Sequence, residues 1–106
     1  MTVAVYQIKK DLTHELGFLG FHEMQKQTGN DRPKIRNYEL VWVGQLDGAK
    51  DLEDVYRYLN EGDKPTGYMG HSLSVGDVVV TGLDDGQYGE WYCDNIGWQK
   101  FDWDLD

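Results

Sequence analysis

The spacing of apolar and polar positions divides the chain into strand-like and helix-like stretches. Thr2 to Lys9 alternates, with Val3, Val5, Gln7 and Lys9 on one face and Ala4, Tyr6 and Ile8 on the other, which is the period of a strand. Leu12, Leu16, Leu19 and Met24 follow near helical spacing, but Gly17 and Gly20 interrupt them. Each glycine costs about 1 kcal/mol inside a helix, so the pattern predicts a short helix only from about Phe21 to Gln27. Thr28-Gly29-Asn30-Asp31-Arg32-Pro33 is a turn-rich loop, and Pro33 keeps Arg32 out of helical space. Asn37 to Leu46 alternates again, setting Tyr38, Leu40 and Trp42 on one large apolar face of a second strand, against Glu39, Val41 and Val43. Leu52, Val55, Tyr56 and Leu59 then recur at i, i+3, i+4 and i+7, one face of a helix that Asp51 can cap and that Asn60 and Gly62 end.

The second half is organised around Tyr68 to Val80, an ordered loop running into a β-branched strand that starts at Asp77 and extends to about Gly82. Gly76 suits a turn that needs positive φ. Asp84-Asp85-Gly86 is a hairpin signal leading to a strand over Gln87 to Cys93, and Asp94-Asn95-Ile96-Gly97 turns the chain into Trp98 to Trp103. The last three strands form a meander. The expected fold is α+β: a mostly antiparallel, partly closed sheet of about five strands with one or two short helices packed on it. At 106 residues the chain is expected to be one domain, residues 1–106, burying roughly 60 to 70% of its unfolded surface. Four Trp, seven Tyr and three Phe make that core aromatic.

Charge narrows the function. The formal net charge of −9 repels nucleic acids and anionic membrane surfaces, so no direct nucleic-acid binding and no membrane association are expected. Residues 1–40 carry six Lys/Arg and five Asp/Glu; residues 41–106 carry four and fourteen. The acidity therefore belongs to the second part, where it suits a basic partner. Asp47, Asp51, Glu53, Asp54, Asp84, Asp85 and Glu90 are the expected partner-binding residues, at the start of the Leu52 helix and on the hairpin. Cys93 has no disulfide partner, and with no apolar run approaching a membrane span and no signal-peptide pattern the expected location is the cytoplasm.

The chemistry-bearing side chains point nowhere specific. His71, Ser72 and Asp77 are the residue types of a nucleophilic triad, yet three residues along one loop and strand start seldom converge, and hydrogen bonding within the loop is the plainer reading, above all for Ser74 and Asp77. His14, His22, His71 and Cys93 lack the close spacings of zinc ligands, and no phosphate-cradling pattern occurs. No catalytic, cofactor or metal residue is assigned.

Gly70-His71-Ser72-Leu73-Ser74-Val75-Gly76-Asp77-Val78-Val79, with Trp91-Tyr92-Cys93-Asp94 and Gly97-Trp98, resembles the YodL-like domain family. Phe18-Leu19-Gly20-Phe21, Tyr38-Glu39-Leu40-Val41, Gly44-Gln45-Leu46, Leu52-Glu53-Asp54-Val55-Tyr56 and Leu59-Asn60 continue the resemblance in order along nearly the whole chain. Gly76 stands where the family usually has Ser, and Trp98 where it has Phe. The resemblance implies the setting of plasmids, conjugative elements and phages, in which such domains stand alone or within larger proteins. It implies no catalytic residues. Joined to the charge, it implies an inhibitor of a basic host-defence nucleic-acid enzyme, with an anti-CRISPR protein acting on Cas9 or its guide RNA complex as the leading reading. The alternatives are a non-catalytic module regulating a plasmid or phage DNA-processing protein, and a small hydrolase built on His71.

Overall fold

The computed structural model describes residues 1–106. Its elements are β1 (Thr2–Ile8), α1 (Thr13–Leu16), α2 (Phe21–Thr28), β2 (Tyr38–Gln45), α3 (Leu52–Asn60), β3 (Val78–Thr81), β4 (Gly89–Cys93) and β5 (Trp98–Phe101). All neighbouring strands are antiparallel, in the order β2-β1-β3-β4-β5. Strand number and sense are as the sequence predicts, and β3, β4 and β5 form the meander. The sheet, however, is open rather than part-way closed: β2 and β5 are its two edges. Three short helices accompany it, because Thr13–Leu16 completes one turn before Gly17, in a stretch expected to lack helix.

Helices cover both faces of the sheet. On one side, Val3, Val5 and Val79 pack with Val55 and Leu59 of α3 and with Leu46 and Leu73. On the other, Ala4, Val78, Val80, Tyr92 and Phe101 pack with Met24 of α2, Tyr38 and Trp103. Hence β3 is buried along its whole length, which explains why Val78-Val79-Val80 is a continuous apolar run instead of an alternation. The tail after β5 crosses the α2 side, where the Trp103 ring meets Tyr6, Tyr38 and Phe101 edge-on at 5.1 to 5.4 Å. Asp104 pins it there, accepting from Asn30 Nδ2 and pairing with Lys34.

The alternation in β2 misleads at one point. Val5 pairs with Trp42 and Tyr6 with Leu40, so Val41 is the extra residue of a β-bulge. The bulge turns Val41 into the α3 side of the core and leaves Leu40 51% exposed, so Tyr38, Leu40 and Trp42 do not share a buried face. A bulge shifts side-chain parity by one, and nothing in the apolar count of a single strand announces it.

Candidate functional site

The loop Gly70–Asp77 meets a strand only at its end, where Gly76 N donates to Cys93 O and Cys93 N donates to Asp77 O; from His71 to Ser74 side chains supply backbone partners instead. Gln7, buried at the end of the Val3-Val5 face of β1, uses its carboxamide as a strand edge would. Its Oε1 accepts from His71 N at 3.1 Å, and its Nε2 donates to His71 O at 3.0 Å. Asn60, the last residue of α3, does the same for Leu73, donating to its carbonyl at 3.0 Å and accepting from its N–H at 2.6 Å. Asp77 Oδ2 accepts from Ser74 N at 2.8 Å and from Gln7 Nε2 at 3.0 Å. The Ser74 to Asp77 turn closes with Asp77 N donating to Ser74 O, and Gly76 supplies the positive φ of 98° required there. A buried segment without a ladder must find such partners, since each orphaned backbone group costs about 1 to 3 kcal/mol.

Burial has an electrostatic consequence. Desolvation pushes the Asp77 carboxyl up to about 7 from 3.8, against the opposing pull of the Ser74 N–H, His71 and Gln7. Burial also pushes the Cys93 thiol up to about 12, which removes thiolate character.

His71, Ser72 and Asp77 do not assemble a triad. His71 Nδ1 lies 2.6 Å from the Ser72 carbonyl, which can only accept, so Nδ1 carries the proton. The Ser72 hydroxyl instead accepts from Lys64 Nζ at 3.1 Å, and Asp77 bonds Gln7 rather than His71. No three His, Cys, Asp or Glu side chains gather where they could share a metal ion.

The predicted acidic binding residues are distributed unequally. Asp47 and Asp54 share a groove of about 500 Å³ with Glu61 and Asp63, beside Arg57 and the 41%-exposed Tyr58. Asp54, Arg57 and Tyr58 fall at i, i+3 and i+4 on the outer stripe of α3, and Glu61 follows as its C-cap. Asp51 is engaged in the helix, its Oδ1 accepting from Asp54 N at 2.8 Å. Asp54 accepts from Lys50 N at 2.9 Å and pairs with Arg57; the Lys50 N–H foremost holds its carboxyl below the usual range. Asp84 and Asp85 are exposed at the β3–β4 hairpin tip, Asp84 accepting from the Thr2 hydroxyl and Asp85 from Gln87 N. Thr2 pairs with Gln45, so this tip lies at the same end of the sheet as Asp47. Glu53 points elsewhere, into a small cavity with Tyr56, Cys93 and Trp98. Glu90, expected to bind a partner, is buried instead: it lies between Val80 and Phe101 on the α2 side, 8% exposed, and accepts from the Tyr88 hydroxyl at 3.1 Å.

A family model for the YodL-like domain matches residues 2–103. The chain belongs to the YodL-like domain family. No curated protein matches it, and no solved structure does. The geometry explains what the family's motif residues do in this YodL-like domain. The Tyr92 hydroxyl donates to Leu19 O at 2.6 Å and its ring meets Phe21 edge-on at 5.2 Å. Asp94 Oδ1 accepts from Phe21 N at 3.0 Å, capping α2 from the β4–β5 turn because Gly20 has no side chain to do so. The Tyr38 hydroxyl donates to Gly76 O at 3.0 Å. Gln7 and Asp94 are the site's least expected participants. A lone amide on the Val3-Val5 face was the available signal for Gln7; for Asp94 it was only membership of the Trp91-Tyr92-Cys93-Asp94 stretch, since a remote cap leaves no local pattern.

No helix of this YodL-like domain is long and apolar enough to cross a membrane.

Proposed function

We propose that the domain is a protein-binding module whose acidic α3 groove docks on the basic surface of a nucleic-acid enzyme and obstructs it. The observation that carries this reading is the groove itself: four carboxylates and an exposed tyrosine stand on α3 and on the turns at its two ends, the helix is anchored in the core by Val55 and Leu59, and Arg57 is the one cation in the lining. Such an arrangement attracts a positive channel at long range and offers Lys or Arg side chains both carboxylates and an aromatic face. The family's association with mobile elements favours a host-defence target, and a Cas9-type effector with its guide RNA complex has the strongly positive nucleic-acid channel that such a groove fits.

The test is inhibition of target-DNA cleavage by a Cas9–guide complex with the wild-type domain and with Asp47→Lys, Glu61→Lys and Asp63→Lys combined. These three positions are exposed and make no side-chain hydrogen bond within the domain, unlike Asp51 and Asp54, whose reversal would damage α3 as well. The expected result is a loss of binding of roughly 10-fold or more at low salt, with wild-type binding itself weakening as salt rises. Full inhibition by the triple variant would overturn the acidic-groove reading. Absence of any Cas9 binding, with capture of a plasmid or phage DNA-processing protein through the same groove, would replace the partner and keep the mode.

A further inference from the structure

We propose that the cleft between Phe18, His71 and Met69 is a second binding site, for an extended peptide segment presenting one large apolar side chain between an acidic and a basic one. It lies apart from the α3 groove and does not depend on it. Phe18 is the only non-glycine residue with positive φ, at 61°, and its ring is nevertheless 60% exposed. A bulky residue in that conformation is strained, and burial of its own ring does not compensate here. The conformation is set by its neighbours: Tyr92 holds Leu19 O, and Phe18 N packs so close to Gly76 that a Cβ there would stand 3.3 Å from it. The strained turn sets the Phe18 ring beside His71, with centroids 6.0 Å apart.

Beneath the two rings lies a cavity of about 330 Å³, whose walls include Ile8, Val41 and the 80%-exposed Met69. It adjoins a second cavity of about 490 Å³ that shares Lys10, Glu39, Val41 and Met69 with it and is rimmed by exposed Leu40. Lys10 and Glu39 therefore line both, and they make no ion pair: the two in the molecule are Lys34–Asp104 and Arg57–Asp54. With Nδ1 committed to Ser72 O, His71 Nε2 has no protein partner and is the ring's free nitrogen.

Charge decides the occupant. Lys9 and Lys10 are matched by Asp11 and Glu39, so a phosphate chain gains nothing, whereas a segment carrying both signs satisfies both unpaired groups. Two joined cavities exceed what one small zwitterion fills, and the exposed Phe18, Leu40 and Met69 supply the apolar contacts that anchor such segments.

The experiment titrates the full chain with acetyl-Asp-Gly-Phe-Gly-Lys-amide and follows amide chemical shifts. Saturable shifts at Phe18, Leu19 and Met69 to Ser72 are expected, with affinity falling at least roughly 10-fold when the peptide's Phe becomes Ala. Phe18→Gly should abolish these shifts while its melting temperature stays equal or rises, since glycine relieves the strain; Met69→Ala, at an exposed position, should weaken binding without unfolding. Shifts confined to α3, none at all, undiminished binding by Phe18→Gly, or equal affinity for acetyl-phenylalanine-amide would each overturn the proposal. So would the same shifts produced by a single-stranded oligonucleotide.

Discussion

Asp77 makes the stability of the fold depend on pH in an unusual direction. Most paired carboxylates stabilise a protein when ionised, and Asp54 and Asp104 do so here, their carboxyls held below the ordinary range by backbone N–H groups. Their contribution is lost as pH falls through the acid range. Asp77 is opposite: its folded value is about 7 against 3.8 when exposed, so the fold prefers the neutral acid. The associated stability is complete below 3.8 and is lost as pH rises to about 7, with no further change above. The gap corresponds to on the order of 4 kcal/mol between the protonation states, a large share of the 5 to 15 kcal/mol typical of a domain. His71, Ser74 and Gln7 face the carboxyl from the loop and β1 and oppose the effect, while Tyr68, Tyr38, Tyr92 and Cys93 sit around it as neutral groups. Urea unfolding from about pH 4.5 to about pH 8 should show wild-type stability falling by about 2 to 4 kcal/mol relative to Asp77→Asn, which keeps an acceptor for Ser74 and Gln7 but cannot ionise. Parallel pH profiles for the two proteins would refute the reasoning, because every other titrating group is common to both.

Other substitutions test the loop's remaining supports. Gln7→Leu orphans the backbone N–H and C=O of His71 and removes one donor to Asp77 Oδ2, and should cost about 2 to 4 kcal/mol, measured by denaturant midpoint, with hydrogen exchange fastest at His71. Asn60→Ala removes the paired bonds to Leu73 and should cost about 1 to 3 kcal/mol while leaving α3 helical by circular dichroism. Gly76→Ala forces a Cβ to within 3.3 Å of Phe18 N at a φ of 98°, and a fall in melting temperature equivalent to about 1 to 3 kcal/mol is expected. Asp94→Ala uncaps α2 from a distance and should cost about 1 kcal/mol, seen as faster amide exchange at Phe21.

The fold was largely legible because its elements rely on local signals. The α3 stripe with its Asp51 cap, the Gly76 turn and the apolar β3 each carry a period or a turn residue that a single sequence displays. What escaped depends on tertiary placement. The Val41 bulge inverts the expected face of β2, the one-turn α1 is too short to have a period, and the open sheet is a matter of where β5 ends relative to β2. Among the acidic positions, charge alone did not distinguish Glu90, buried beneath Tyr88, from Asp47 or Asp85 at the surface. Acidic residues that cap or pair look the same in sequence as those left free.

The same distinction bears on what the family's motif residues mean. Leu19 and Phe21, Gly76 and Asp77, Tyr92 and Asp94, and Asn60 come from four separate stretches, and each is joined to the Gly70–Asp77 loop, to another of the group or to a backbone beside it. Their shared task is to hold a loop that joins the sheet only at Gly76 and Asp77, and a remotely capped helix, against that sheet, a folding problem that any member with this topology must solve. A triad or metal centre would have gathered nucleophiles or ligands; here the gathered atoms are carboxamides, a neutral-leaning carboxyl and tyrosine hydroxyls bonded to backbone. On the two binding proposals made above, partner choice rests on side chains outside this framework: the α3 groove around Asp47, Tyr58, Glu61 and Asp63, and the cleft under Phe18. Changes there should alter binding with little effect on melting temperature, and changes within the framework should do the reverse. If Asn60→Ala or Gln7→Leu left stability intact but removed binding, that division would be wrong and the loop itself would be the contact surface.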